Sequence, residues 1–164
     1  MRRSNWTVLG VLPAALLIVA TGAGPASAAA VQTGRGLAPR VAAVSCSGYG
    51  CDGTDPESSG CAATAETVAS AWVNYPYSKV ELRYSTACRT TWARATGWPE
   101  DPDYPSDYAY IHRNSDGRQY TCYGGYTRQT TSCYTRQVYD GGVTSYAYAF
   151  EEGPTDSSGR TTSY

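Results

Sequence analysis

Lysine, histidine, phenylalanine and methionine are nearly missing from this 164-residue chain: Lys79, His112, Phe150 and Met1 each stand alone. Twelve arginines carry the remaining positive charge, but they are scattered and no basic block results. That excludes sequence-independent nucleic-acid binding, which needs clustered cations to displace phosphate counterions. It also excludes docking on an anionic membrane. With one histidine, a Ser-His-Asp or Cys-His device would have to be built on His112, and there is no Gly-x-Ser-x-Gly elbow to present a strained serine. No apolar run reaches the roughly 20 residues that span a bilayer. Zinc-finger spacing is missing too, because four residues separate Cys46 from Cys51 and no second close Cys/His pair follows. No metal or cofactor is expected.

What is present begins with an export signal. Arg2 and Arg3 precede an apolar stretch over residues 8–20, broken only by Gly10 and Pro13, and Ala26-Ser27-Ala28 is a small-x-small cleavage pattern. Cleavage near Ala28 is expected to give a secreted, extracellular protein. The mature chain keeps eleven basic and fourteen acidic residues, a net charge of −3. All six cysteines, Cys46, Cys51, Cys61, Cys88, Cys122 and Cys133, lie downstream of the signal. An even set in an exported chain reads as a disulfide framework. Cys122 and Cys133 fall on neighbouring strand candidates around residues 124–130, which favours their pairing. The other four are expected to staple the loop 46–61 to the sheet through Cys88. Whether Cys46 and Cys51 bond each other or split between Cys61 and Cys88 stays open.

Three segments follow the order signal (1–28), flexible arm (29–45) and disulfide-bonded domain (46–164). The arm has no aromatic, cysteine or acidic residue, and Gly34, Gly36 and Pro39 break any regular element. Residues 46–61 are a glycine-rich stapled loop. The alanine-rich residues 62–72 place Ala65, Val68, Ala69 and Trp72 on one face at helical spacing and predict a short helix. From Lys79 the period becomes two: Val80, Leu82 and Tyr84 alternate with Glu81, Arg83 and Ser85. Further strands are predicted over 92–96, 108–113, 118–123, 132–139 and 145–150. Asp116-Gly117 and Asp140-Gly141-Gly142 read as hairpin turns, residues 97–106 as a long surface loop, and Ser157-Ser158-Gly159 as a turn returning 160–164 as an edge strand. The expected fold is mostly β: an antiparallel meander, small sandwich or barrel-like sheet with one short N-terminal helix.

Candidate chemistry is sparse. His112 shares a strand face with Tyr108 and Tyr110, the setting of a packing residue. Asp52, Asp55 and Glu57 surround a glycine-bearing turn but lack the ligand order of a calcium loop, so Asp55 before Pro56 reads as a turn cap. Glu100, Asp101, Asp103 and Asp107 form an acidic cluster beside Trp98, Tyr104 and Tyr108, a composition shared by sugar clefts and by solvated loops. Glu81, Arg83 and Arg94 are expected to build an ion-pair lattice on an outer sheet face, with Arg83 and Arg94 as alternative partner-binding groups. In the arm, Leu37-Ala38-Pro39-Arg40-Val41 sets a lone arginine in an extended run. A trypsin-like cleft accepts that shape, so Leu37, Arg40 and Val41 are partner-binding candidates. Fifteen tyrosines suit half-buried strands and wet recognition surfaces alike.

The segments CSGYGCDGTDP and VELRYSTACRTTWARA resemble the YjfA-like family of small exported bacterial proteins of unknown function. The resemblance covers roughly residues 46–95 and rests on Cys46, Cys51, Asp55-Pro56, Cys61, the strand around Glu81 to Ser85, Cys88 and Trp92-Ala93-Arg94. Cys122 and Cys133 lie outside that core. The family implies no catalytic residues. In overall plan the chain is also similar to the small adaptor subunit of umbrella-shaped bacterial toxin particles, which links a degenerate trypsin-like lectin to a toxin-bearing stalk. These resemblances imply a secreted, non-enzymatic protein-interaction adaptor with extracellular partners, one of them of trypsin-like fold. The rival classes are a carbohydrate-binding module and a small secreted hydrolase.

Overall fold

The computed structural model describes residues 43–99, 101–103, 106–125 and 129–164. The described residues pass through two short 3-10 turns, Gly48–Cys51 and Cys61–Thr64, and continue as nine strands. These are β1 (Ala65–Asn74), β2 (Ser78–Ser85), β3 (Thr90–Thr96), β4 (Asp107–Arg113), β5 (Gln119–Gly124), β6 (Ser132–Tyr134), β7 (Val138–Tyr139), β8 (Ser145–Glu151) and β9 (Ser157–Arg160). They form two antiparallel sheets, one ordered β1-β2-β3-β6 with β7 also on β3, the other β5-β4-β8-β9. The protein is mostly β, and among the described residues the sheets do not close into a barrel.

The helix expected over residues 62–72 is instead a 3-10 turn and the first half of β1. Helix propensity is a weak prior of a few tenths of a kcal/mol per residue. Here it is overridden by pairing: Ala65 to Asn74 run antiparallel to β2, from Ala65 opposite Ser85 to Asn74 opposite Ser78, with register shifts at Thr67/Ala69 and Trp72/Asn74. Those bulges blurred the period-two signal in the sequence. Residues 132–139 also differ from a single strand. The ladder to β3 breaks at Thr135, whose backbone N–H and Oγ1 both bond Ala93, leaving β6 and β7 on either side.

Two turns sit elsewhere than expected. Asp140-Gly141-Gly142 joins no hairpin; it carries the chain from β7 in the first sheet to β8 in the second. Ser157, Ser158 and Gly159 belong to β9 rather than to a turn, and the tail continues the pairing, with Thr161 N–H on Ala147 and a reciprocal backbone pair between Ser145 and Tyr164. Asp116-Gly117 does close the β4–β5 hairpin, with Gly117 at φ +70°.

The core lies between the sheets. Val73, Val80, Leu82, Ala93, Ala95, Trp98, Ala109, Ile111, Val138, Ala147 and Ala149 form one buried cluster. Strict alternation explains it: β4 and β8 turn Ala109, Ile111, Ala147 and Ala149 inward and keep the residues between them on the outer face. Alanines on these facing strands leave room for the few large side chains, chiefly Leu82, Ile111 and Trp98. Each large side chain contributes about 2 kcal/mol on burial.

Three disulfides form: Cys46–Cys51, Cys61–Cys88 and Cys122–Cys133. The last is the expected bridge. Cys61–Cys88 is the staple from loop to sheet through Cys88, and the open alternative is settled with Cys46 bonded to Cys51. No helix among the described residues is long and apolar enough to cross a membrane.

Candidate functional site

The two outer sheet faces differ in chemistry. On the first sheet, Lys79, Glu81 and Arg83 of β2 face outward with Arg94 of β3, because Val80 and Leu82 claim the core side. Glu81 lies opposite Arg94 in register, accepts its Nε–H at 2.7 Å and pairs with Lys79 Nζ at 2.9 Å. Burial raises the Glu81 carboxyl, but the hydrogen bonds and charges of Lys79 and Arg94 outweigh it and leave its pKa lowered. Arg83 donates to Thr67 Oγ1 at 2.6 Å and to the Ala65 carbonyl at 3.0 Å. Glu81, Lys79 and Arg94 therefore form a lattice, and Arg83 is spent on β1.

The outer face of the second sheet is aromatic. β4 presents Tyr108, Tyr110 and His112, and β8 presents Tyr146, Tyr148 and Phe150, all half-buried. Register places them directly opposite: Tyr108 against Phe150, Tyr110 against Tyr148, His112 against Tyr146. Tyr108/Phe150 and Tyr110/Tyr148 stack across the strands and His112/Tyr146 is tilted, with ring centroids 5.3, 4.8 and 4.9 Å apart. Those distances match the spacing of neighbouring strands, roughly 4.8 Å, so the rings stand on edge and turn their rims and hydroxyls outward. Tyr123 of β5 tilts against Tyr108 at one margin. At the other, Arg160 of β9 lies 3.7 Å over the Tyr146 ring, a cation–π contact. Burial and the Tyr146 hydroxyl push the Tyr110 phenol up to about 12, and burial with Tyr148 raises Tyr108. These phenols stay protonated at neutral pH and can both donate and accept. The layer is thus an ordered field of hydroxyls on a rigid support.

His112 lies inside this layer, opposite Gln119 on β5 and Tyr146 on β8. Neither neighbour supplies the carboxylate that orients a general base. The acidic cluster is divided. Asp107 is buried, accepts the Glu152 N–H at 3.0 Å, and its pKa is pushed up to about 6 by burial. Asp101 bonds the Asp103 N–H in a surface turn; Glu100 and Tyr104 lie outside the described residues. Trp98 is a core residue, and Tyr108 points to the opposite side of β4 from Asp107, so among the described residues these groups are not gathered in one place.

Asp52 and Asp55 also part company. Asp55 caps its turn through the Glu57 and Ser58 N–H groups, as expected. Asp52 pairs with the buried Arg113 at 2.9 Å and accepts the Tyr139 N–H. Arg113 forks onto Asp116 and lies 4.9 Å from the Tyr49 ring, tying the cysteine loop to the β4–β5 hairpin. The hydrogen bond to Asp116 is the largest of several effects that raise its pKa further. Leu37, Arg40 and Val41 lie outside the described residues.

Comparison with known proteins adds a family. The model of a protein family of unknown function (DUF2690) matches residues 49–149. The chain belongs to that family. It is also 36% identical over 116 residues to the uncharacterized protein YjfA of Bacillus subtilis, covering 63% of this chain and 72% of that one. No solved structure matches. The family match extends well past residue 95 and takes in Cys122, Cys133 and most of the aromatic layer; Phe150 and Arg160 lie just beyond it.

Sequence reading missed Tyr146, Tyr148, Phe150 and Arg160 as members of one surface. The signal was there in SYAYAFE, where every second residue is aromatic. Its meaning depended on knowing that β8 pairs with β4.

Proposed function

We propose that this protein is a secreted, non-catalytic interaction module that captures an extracellular protein on the aromatic face of its second sheet. It serves as an adaptor, with the arm segment around Leu37, Arg40 and Val41 taking a second partner of trypsin-like fold. The observation that carries the reading is the layer of cross-strand ring pairs Tyr108/Phe150, Tyr110/Tyr148 and His112/Tyr146 with Arg160 at its margin. Tyrosine and arginine on a rigid, half-desolvated surface are the residues that dominate protein interfaces. Their conformational cost is already met by the stacking itself.

The same geometry disfavours the carbohydrate reading. Sugar rings bind by laying their apolar C–H faces on open aromatic faces, and here each of these rings gives a face to its cross-strand neighbour. That leaves less open ring face for a sugar and more rim, with the hydroxyls of four tyrosines, for the backbone and side-chain polar groups of a protein.

The test is Tyr110→Phe with Tyr148→Phe, which removes two hydroxyls and keeps the stacking. Each lost interfacial hydrogen bond is expected to cost about 1 kcal/mol, so capture of the partner recovered with wild-type protein from culture supernatant should weaken by roughly 30-fold. The melting temperature should hold. Unchanged affinity would remove the aromatic face from the interface. Retention of wild type on a glycan column, lost in the variant, would restore the carbohydrate reading.

A further inference from the structure

Two of the disulfides touch. Cys46–Cys51 closes the N-terminal loop and Cys61–Cys88 ties that loop to the β2–β3 connection, and Cys46 Sγ sits 3.7 Å from Cys61 Sγ. That is about the sum of two sulfur radii. All four sulfurs lie within 4.8 Å of one another. Access to them is unequal: Cys51 and Cys61 are fully buried, Cys88 is 3% exposed, and Cys46 alone is partly open to solvent.

A buried amide addresses this contact. Gln137 is fully buried, and its Nε2 donates to Thr54 Oγ1 at 2.7 Å and Ser59 Oγ at 2.9 Å. Cys61 Sγ and Cys46 Sγ are its next neighbours, at 3.4 and 3.8 Å. Its Oε1 is turned away, accepting from Thr90 Oγ1 at 2.6 Å. The positive end of the amide dipole therefore faces the two sulfurs in contact. Negative charge arising on either of them is stabilised there, which is the condition that favours a thiolate.

We infer that the two disulfides form one thiol–disulfide exchange site for a dithiol reductant, with electrons entering at Cys46–Cys51 and passing through Cys46 to Cys61–Cys88. A thiolate of the dithiol attacks the accessible Cys46 Sγ; the Cys46–Cys51 bond breaks, and its electron pair leaves on Cys51, which takes a proton. The second thiolate of the dithiol attacks the reductant sulfur of the mixed disulfide, closing a cyclic disulfide and releasing Cys46 as thiolate. The dithiol is oxidised by two electrons and the protein reduced by two. Cys46 then attacks Cys61 Sγ. A Cys46–Cys61 bond forms, the Cys61–Cys88 bond breaks, and the electron pair leaves on Cys88, which is protonated by solvent. This last step consumes no further reductant, since it moves a thiol from Cys46 to Cys88. The loop stays closed on itself while its bridge to the sheet opens. Such exchange requires access of a thiolate to the sulfur it attacks. With the four sulfurs clustered within 4.8 Å, Cys46 is beside the Cys61–Cys88 bond while it is bonded to Cys51, and it turns into line with that bond once its own bridge is opened.

The mature protein is treated with one equivalent of dithiothreitol, quenched in acid, unfolded, labelled with N-ethylmaleimide and mapped by peptide mass spectrometry. The expected product carries label on Cys51 and Cys88 and a Cys46–Cys61 bridge. Label confined to Cys46 and Cys51, with Cys61–Cys88 intact, overturns the proposal. So does label on all four cysteines without the Cys46–Cys61 bridge ever appearing. Cys51→Ser gives an independent reading, because its Cys46 begins as a thiol: Cys88 should become labelled and the Cys46–Cys61 bridge appear with no reductant added. A Cys51→Ser protein that keeps Cys61–Cys88 and labels only Cys46 overturns the proposal as well. Should that variant fail to fold, the wild-type trapping experiment decides alone.

Discussion

Asp107 and Asp140 are buried carboxyls, and each carries one buried oxygen without a hydrogen-bond partner. Burial pushes both pKa values up to about 6, against the partial relief of the Glu152 N–H for Asp107 and of Ser145 Oγ for Asp140. The native state thus keeps protons that the unfolded chain releases near pH 4. Stability from these two groups is present below that range and is withdrawn as pH rises through about 6. Glu81 and Asp116 work in the opposite sense: their lowered pKa values supply stability above the ordinary carboxylate range that is lost on acidification. The two sets separate by mutation. Asp140→Asn keeps an acceptor for Ser145 Oγ and removes the ionisation, so it should raise stability at pH 7 by about 1–2 kcal/mol, a melting shift of several degrees, with little effect at pH 4. Thermal melts at the two pH values check this; an equal shift at both, or a loss at pH 7, would mean that Asp140 is held ionised by its neighbours.

At the scale of elements, the two sheets meet backbone to backbone where β9 passes β1. Gly159 is buried there, and a Cβ on it would overlap the Trp72 carbonyl and the Trp72–Val73 peptide. Gly159→Ala must push one sheet edge off the other, and overpacking of this kind costs about 1–3 kcal/mol. Gly153→Ala, where the nearest atom is an ordinary 3.5 Å away, should be near neutral. Circular-dichroism melts of the pair compare the two, and equal stability would refute the described approach of β9 to β1. Nothing in the sequence marks Gly159 as a crossing point, which illustrates how legibility divided here. Strands such as Lys79-Val80-Glu81-Leu82-Arg83 and Asp107 to Arg113 announce themselves by alternation, because period two is a local property. The Cys122–Cys133 bridge was legible because β5 and β6 flank one loop. β1 was not, since its alanines favour helix locally and its strand state comes from pairing with β2. The aromatic layer was unreadable for the same reason: each tyrosine was visible, but the register of β4 on β8 joins residues 34 to 42 positions apart.

At the scale of the whole molecule, the cysteine loop and the aromatic sheet are mechanically joined. Ser45 N–H donates to the Ser59 carbonyl, which ties the residue before Cys46 to the cysteine loop. From there Asp52 and Tyr49 reach Arg113 at the end of β4, one residue beyond His112 of the aromatic layer. The adaptor proposed above would need two sites that do not compete and a rigid link between them; the contacts of Asp52 and Tyr49 with Arg113 run from the cysteine loop to one end of the aromatic face. The prediction is a double dissociation. Deleting residues 29–42 retains Ser45 and both of its bonds to Ser59, so the melting temperature should stay within a degree or two, the ordinary outcome of truncating a terminus outside the domain. Capture of a partner of trypsin-like fold should be lost, because the segment bearing Leu37, Arg40 and Val41 is gone. Capture through the aromatic face should persist in the deletion and fall in the Tyr110→Phe, Tyr148→Phe protein, which in turn should keep the first partner. Quantitative co-purification with the mature protein, the deletion and the double variant reads all four combinations. If every partner is still recovered from the deletion, residues 29–42 are a linker and the adaptor reading reduces to a single-sided binding module; if both partners vanish together in either protein, the two sites are one.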